Sequence, residues 1–457
     1  MNKIFLWLDR TIRFCLYGLV IAFPLGNAPV EIFGNLAAGL YLLKWLLLLS
    51  CSAWSDRSFK EAGTVGGEKY VLTAVFAYAV WNMVSAIGSV DDALSWRAIY
   101  GKLLEGVLVF FAARAHIYKK QHVRILINCA LAAAGLAALN GLWQWFFEKD
   151  LIRQSSVFLG PTVEKRMSSS FRHPNGFGSY LIFWIPLTVA WSFMFKYVRS
   201  DQTAHPQRPV IGWQRMIQPG SSKMYLLMLM VVLVVCLGLT FSRGAWLGLF
   251  AGMIFLLLHH KRFFLPLLIG GAVILMIFAP MMSSSRSMDF IQKATIASSN
   301  DLPGRMIEIF QKSSSGRWTF WQDAWQAASL RPVTGWGLNT YTQVINTLPG
   351  TREGYYAHNC YLQMTVEIGF VGLVLFLSIA GLFYAHIRAE LSRMPKGYLR
   401  VICLGAASGL LAFLVHAFFD TNFYSVQLAL LPWLGMGLCL SVVRISRAEP
   451  ASHIDKP

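Results

Sequence analysis

Charge is scarce in this chain. Asp, Glu, Lys and Arg make up 14% of its 457 residues, against about 25% in soluble globular proteins. That shortage argues against a soluble enzyme, a disordered chain and a nucleic-acid-binding module. Cysteine motifs are missing too. Seven cysteines lie far apart, with no CxxC and no CxH, which supports neither a disulfide framework nor a zinc site. No His/Asp/Glu cluster has metal-ligand spacing, so no metal and no cofactor is expected. The sequence shows no internal repeat, which weakens an inverted-repeat transporter reading.

What the chain has instead is apolar sequence: 56% of residues come from the set AVILMFWYC, and the mean hydropathy is +0.50. A helix crosses the hydrocarbon layer with about 20 mostly apolar residues. Twelve such stretches can be read, at roughly 11–27, 30–50, 70–90, 98–117, 125–147, 177–198, 224–241, 244–260, 263–282, 359–387, 401–419 and 425–444. The first holds Arg13, follows Arg10 and has no small-residue cleavage site, so it reads as a span and not as a signal peptide. The expectation is an all-α integral membrane protein, one polytopic domain over residues 1–457. Its longest loop, 283–358, lies between spans nine and ten and should carry short amphipathic helices and part of the site.

The net charge of +18 has a topological reading. With both termini cytoplasmic, 24 of the 40 basic residues fall on inside segments, as the positive-inside rule requires. Nucleic acid is not needed to explain the charge. The outward segments are then 148–176, the tight Ser242–Arg243–Gly244 turn and 283–358.

These outward segments hold the unusual residues. Before span six runs Phe171-Arg172-His173-Pro174-Asn175-Gly176; Pro174 favours an extended His173. Spans seven and eight leave almost no loop, so Arg243 sits at the outer interface, where a charge is costly and is a functional candidate unless it snorkels to headgroups. Gly316-Arg317-Trp318 opens a helix whose Trp318, Trp321 and Trp325 share one face, suited either to the membrane interface or to packing on the bundle. Arg331–Gly337 reads as the turn that ends it. Ala357-His358-Asn359 enters span ten, with Asn359, Gln363 and Glu367 on one helical face, either a wet-cavity lining or interhelical hydrogen-bonding groups. Asp91-Asp92 reads as a helix N-cap pair. Asp420, near the outer end of span eleven, either touches the site or caps that helix. If Arg172, Arg243, Arg317 and His358 converge, they form a site with three fixed cations and one titratable imidazole. Such a site suits a lipid-linked diphosphate.

At these motifs the sequence resembles the bacterial O-antigen ligases and their relatives, the O-antigen polymerases and protein O-oligosaccharyltransferases. The residues that carry the resemblance are Phe171–Asn175, Thr240-Phe241-Ser242-Arg243-Gly244, Gly316-Arg317 with Gly335-Trp336-Gly337, and Ala357-His358-Asn359. The resemblance implies a membrane glycosyltransferase of the C type with about twelve transmembrane helices. It would work on the periplasmic side of a Gram-negative inner membrane, moving a glycan from undecaprenyl diphosphate to lipid A-core. It places the catalytic histidine at His358 and diphosphate binding at Arg172, Arg243 and Arg317. His173, Asn175, Ser242 and Asn359 are supporting candidates. The expected reaction is metal-independent and inverting. An O-antigen polymerase using the same donor and a transporter of lipid-linked sugars are the alternatives. The motifs favour the ligase.

Overall fold

The computed structural model describes residues 2–50, 64–159, 165–195, 223–260, 317–352, 354 and 356–448. Its helices are α1 (Asn2–Ala22), α2 (Asn27–Ser50), α3 (Glu68–Ile87), α4 (Asp92–Ala98), α5 (Glu105–His116), α6 (Lys120–Phe147) and α7 (Pro174–Phe193) in the first half of the chain. After these come α8 (Lys223–Leu239), α9 (Arg243–His259), α10 (Arg317–Leu330), α11 (Tyr341–Thr347), α12 (Cys360–Arg393), α13 (Tyr398–His416) and α14 (Val426–Ala448). A π-helical segment, Ile99–Leu104, joins α4 to α5, and a short 3-10 turn, Asn422–Tyr424, precedes α14. The only strands among the described residues, Phe158–Leu159 and Lys165–Arg166, pair antiparallel in the loop after α6. This small hairpin is a departure from the all-helical expectation.

Eleven of the twelve predicted stretches fall on these helices; the ninth, 263–282, lies outside the described residues. Seven helices are long and apolar enough to cross a membrane: α2, α3, α6, α7, α12, α13 and α14. The other helices are shorter or more polar over their described residues. Helices α8 and α9 are described over 17 apolar residues each, about 25 Å at ~1.5 Å per residue, the short end of the range that crosses a hydrocarbon layer. Helix α1 carries Lys3, Asp9, Arg10 and Arg13. The stretch from α4 to α5 is interrupted by the π segment and by Lys102 and Glu105. The protein is a multi-pass membrane protein with about seven candidate spans.

The centre of the bundle is built from α7, α9, α13 and α14. Every four residues along α9 stands a glycine, Gly244, Gly248 and Gly252. A Cβ at Gly252 would come within 2.6 Å of the Ser408 carbonyl oxygen, and one at Gly244 within 2.7 Å of Phe419 Cβ. Small residues at this spacing let helix backbones pack closely in a membrane, where burial from water supplies no drive. Against this centre pack Trp184, Trp191 and Trp246, all buried. At the end of the bundle far from His358, charges pair: Arg114 with Glu68 at 2.6 Å and Arg447 with Glu390 at 2.7 Å.

Helix α12 is not the straight span the sequence suggests. Gly369 adopts φ 70°, ψ 176° inside it, a conformation open to glycine and strained for other residues. The break frees carbonyls that would otherwise bond along the helix. The turn after α10 fills the gap: Trp336 N donates to Val366 O (3.0 Å), Gly337 N to Glu367 O (2.8 Å), and Trp81 Nε1 to Ile368 O (2.8 Å). In return Phe370 N donates to Pro332 O at 2.8 Å. Buried polar backbone must find partners, and here a loop and a helix satisfy each other. The described part of the long loop also packs a small core, Ala324, Ala327, Tyr341 and Val344 among it, against Val366 of α12. The buried side of α10 is therefore its alanine face, with Asp323, while Trp325 is exposed and meets Phe370. The predicted turn at 331–337 ends α10, and Asp91 is an N-cap whose Oδ1 accepts from Leu94 N at 2.9 Å.

A candidate active site around His358 and Asp420

Three segment ends meet at one end of the bundle. The first is the start of α7. His173 is extended (φ −141°, ψ 145°), as expected before proline, and its Nδ1 accepts from Asn175 N at 3.2 Å, capping the helix. The proton of a neutral His173 therefore sits on Nε2. Burial pushes this imidazole down to about 4; Arg166, His358 and Arg317 add to the effect, and Asp420 opposes it. His173 is thus uncharged at neutral pH, a group that can accept or donate one hydrogen bond without adding charge.

The second is the turn between α8 and α9. Phe241 takes a positive φ of 49°, and Ser242 N donates to Thr240 Oγ1 at 3.2 Å. Arg166 clamps this turn. Its Nε donates to Thr240 O (2.9 Å) and its Nη2 to Asn175 Oδ1 (3.1 Å). One guanidinium thereby ties the α8–α9 turn to the start of α7. Arg243, the first residue of α9, is exposed beside the clamp. Ser242 is buried and its side chain makes no cap.

The third is the start of α12. Asn359 Oδ1 caps it, accepting from Tyr361 N (3.0 Å) and Leu362 N (3.1 Å). His358, just outside the cap, has φ 48°, a conformation uncommon outside Gly, Asn and Asp. The segment after α13 is pinned to it: Cys360 N donates to Ala417 O at 2.8 Å and Cys360 Sγ to Asp420 O at 3.1 Å. That contact brings Asp420 Oδ1 to 3.6 Å from His358 Nδ1, an ion-pair distance slightly beyond a hydrogen bond. Asp420 Oδ1 also accepts from Thr421 N at 2.9 Å. Burial opposes ionisation of Asp420, yet the His358 contact and the Thr421 amide hold its carboxyl well below the ordinary range. Phe320 of α10 faces the His358 ring at 6.1 Å between centroids.

Arg317, the first residue of α10, is partly buried near this pair. Burial and the positive charge of Arg243 lower its pKa, and Asp420 partly offsets them. A guanidinium stays protonated through such a shift, so Arg317 keeps its charge with Arg243 and Asp420 both in its electrostatic surroundings. Behind them His416 is buried, its Nδ1 2.8 Å from Ser179 Oγ.

His358 thus lies at ion-pair distance from Asp420, His173 and Arg317 feel its charge, and Arg243 acts on Arg317. Asn175 and Asn359 act on backbone and on Arg166, as supports. Arg172 is exposed next to His173 and reaches no hydrogen-bond or ion-pair partner among the described residues. Of the two readings of Asp420, contact with the site is the one found. Gln363 and Glu367 serve as hydrogen-bonding groups: Glu367 accepts from Asn339 N (2.9 Å), Tyr424 OH (3.1 Å) and Gln363 Nε2 (3.2 Å). Arg166 and His416 were not candidates from sequence. No group of three or more His, Cys, Asp or Glu among the described residues could hold a metal ion. The arrangement can hold an anion on fixed cations beside an imidazole backed by a carboxylate, which is the equipment for proton transfer at a phosphate ester.

Residues 228–377 match the Wzy_C family model, described as O-Antigen ligase. The matched segment holds Arg243, Arg317 and His358 but ends before Asp420. It is consistent with a glycosyltransferase acting on lipid-linked glycans. A comparison with curated proteins found no match. One solved chain, from work on "structural coordination of polymerization and crosslinking by a peptidoglycan synthase complex", is 15% identical with a TM-score of 0.42. The alignment covers 83% of this chain and 98% of that one.

Proposed function

We propose that this protein is an O-antigen ligase. It moves a glycan from undecaprenyl diphosphate to a sugar hydroxyl of lipid A-core at the periplasmic face of a Gram-negative inner membrane, with both termini cytoplasmic and the full complement of about twelve spans in a C-type glycosyltransferase architecture. The observation that carries the reading is the His358–Asp420 pair with Arg317 and Arg243 in the same electrostatic neighbourhood, three of the four (His358, Arg317 and Arg243) lying on the segment matched by the O-Antigen ligase model.

In the proposed reaction the acceptor hydroxyl attacks the anomeric carbon of the reducing-end sugar. The new bond joins that carbon to the acceptor oxygen; the bond that breaks joins it to the diphosphate oxygen. His358 Nδ1 faces Asp420, so Nε2 takes the hydroxyl proton. Asp420 holds the ring and stabilises the imidazolium that forms. Arg317, Arg243 and Arg172 bind the diphosphate, which leaves as an anion and needs no proton. Direct attack inverts the anomeric centre. Neutral His173 can orient the acceptor without repelling the arginines.

The test is genetic. Deleting the gene should leave long glycans on the lipid carrier and none on lipid A-core. Single repeats on the core would instead indicate a polymerase. Unchanged surface polysaccharide would reject both.

A further inference from the structure

Helix α10 turns a face without formal charge outward. After Arg317 its one charged residue is Asp323, which is buried, its Oδ2 3.6 Å from Arg352 Nη1. The alanine face is covered by α11. The opposite side shows Gln322, Trp325, Gln326, Ser329 and Leu330, and Val333 follows just past the helix. Trp325, Leu330 and Val333 are each more than half exposed. Large apolar side chains left together at a surface mark a contact.

Two neighbouring helices say what that contact is. Trp325 packs edge-on against Phe370, with 5.8 Å between ring centroids. Phe370 heads a line of outward residues on α12, followed by Val374, Leu377, Gly381 and Ala385. They stand three or four residues apart, the stripe that a spanning helix turns to lipid. Arg388 closes it. From Phe370 to Arg388 the helix rises about 27 Å at ~1.5 Å per residue, close to the ~30 Å of the hydrocarbon layer. With Arg388 at one boundary, Phe370 and the Trp325 ring beside it stand at the other. The next residues stay at that level. Arg331 Nη1 donates to Gly88 O at 2.9 Å, which ties the segment holding Leu330 and Val333 to the end of α3. There Phe76, Val80, Val84 and Ile87 make a second outward apolar stripe. Both stripes lie on helices long and apolar enough to cross a membrane.

We propose that Trp325, Leu330 and Val333 seat α10 in the boundary between hydrocarbon and headgroups, and that the partner of this patch is the bulk phospholipid of the bilayer the protein spans. Continuity with two lipid-facing stripes and a matching depth select lipid, because a soluble partner would have to displace it. An indole, apolar in body with one polar N–H, suits that boundary. The seat reaches the site through the helix itself: α10 begins at Arg317 and sets the Phe320 ring 6.1 Å from that of His358. The bilayer is thus one of the supports of the His358 group. The contact is with neither donor nor acceptor and is read without turnover, so it stands or falls apart from the transfer reaction.

The test puts the photoreactive residue p-benzoyl-phenylalanine in place of Trp325 or Val333 of the full-length protein. The control puts it in place of Gln343, which is exposed on α11, the helix on the other face of α10. The protein is irradiated in liposomes of dioleoyl phosphatidylethanolamine and dioleoyl phosphatidylglycerol, and adducts are read by mass spectrometry. Adducts to phospholipid acyl chains should form from the Trp325 and Val333 positions and not from Gln343. Either of the two positions is sufficient if the other disturbs folding. In protein carrying the probe at Val333, Trp325→Glu should lower the adduct yield about tenfold, since the large ring is lost and a charge meets the boundary. Trp325→Phe, which keeps a ring, should leave it within about twofold. Equal yields from all three positions, or a yield that ignores Trp325→Glu, would overturn the seat. Adducts to a second copy of this chain or to another protein in place of lipid, on irradiation of intact cells, would overturn the choice of partner.

Discussion

Replacing Asp420 with Asn keeps the shape of the side chain and removes the charge that faces His358. In wild type the two groups lie 3.6 Å apart. At an effective dielectric near 20, unit charges at that separation interact by roughly 4–5 kcal/mol. His358 has a side-chain exposure of 35%, and screening by solvent removes about half of the interaction. A remaining ~2 kcal/mol bears on the imidazolium that forms as the acceptor hydroxyl loses its proton. At ~1.4 kcal/mol per decade this corresponds to a fall in kcat of roughly thirtyfold, with more if the ring loses its orientation. KM for the lipid-linked donor should change little, since the arginines are untouched. The assay is transfer of a labelled glycan to lipid A-core in detergent, resolved by electrophoresis, at saturating donor. An Asp420→Asn enzyme within about threefold of wild type would refute the pairing argument, as would a loss confined to KM.

Other consequences follow from the same structure. Arg166→Gln should leave the protein folded and lower activity at least tenfold, because the clamp on the Thr240 and Asn175 oxygens goes; a Phe241 turn as active without Arg166 would count against it. Gly369→Val places a Cβ-bearing residue at φ 70° and against the turn that packs into the kink. It should destabilise by more than ~1–2 kcal/mol, read as a lower melting temperature in detergent. His173 is protonated more readily when unfolded, near 6.5, than when folded, at about 4. Between those values the unfolded state binds the extra proton, so stability falls as pH drops from 6.5 towards 4. His173→Gln should flatten that part of the melting-temperature profile, and an unchanged slope would contradict the assignment.

Much of this architecture is legible in composition and spacing. Long apolar runs mark helices because a membrane helix hides its own backbone, and the runs stop where Thr240-Phe241-Ser242 or Arg331-Pro332 forces a turn. The arginine and histidine motifs are also visible, since charge and imidazole stand out in such a chain. The break at Gly369 is not legible. The stretch Ile368-Gly369-Phe370-Val371 reads as part of a continuous span, and the docking of residues 332–337 accompanies the unusual backbone. Asp420 is half legible. It is the only Asp, Glu, Lys or Arg between Arg400 and Arg444, which marks it as unusual, but its partner lies 62 positions earlier. That pairing depends on a backbone bond from Cys360 to Ala417. Arg166 carries no signal at all, because a basic residue in a polar outer loop is ordinary until its carbonyl partners are seen. Asp9, just before the first apolar stretch, carries no signal of its partners. The structure uses Asp9 to bind Lys44 at 2.6 Å and His116 at 3.2 Å.

The central claim is that His358 accepts the proton of an acceptor sugar while arginines hold a lipid diphosphate. Purified protein in proteoliposomes, given undecaprenyl diphosphate-linked glycan and lipid A-core in the presence of EDTA, tests it most directly. Wild type should form the ladder of glycan on lipid A-core, with the anomeric configuration inverted, and His358→Ala should form none while remaining folded and inserted. Ligation by His358→Ala at a rate near wild type, or activity that collapses with EDTA and returns with magnesium, would contradict the account.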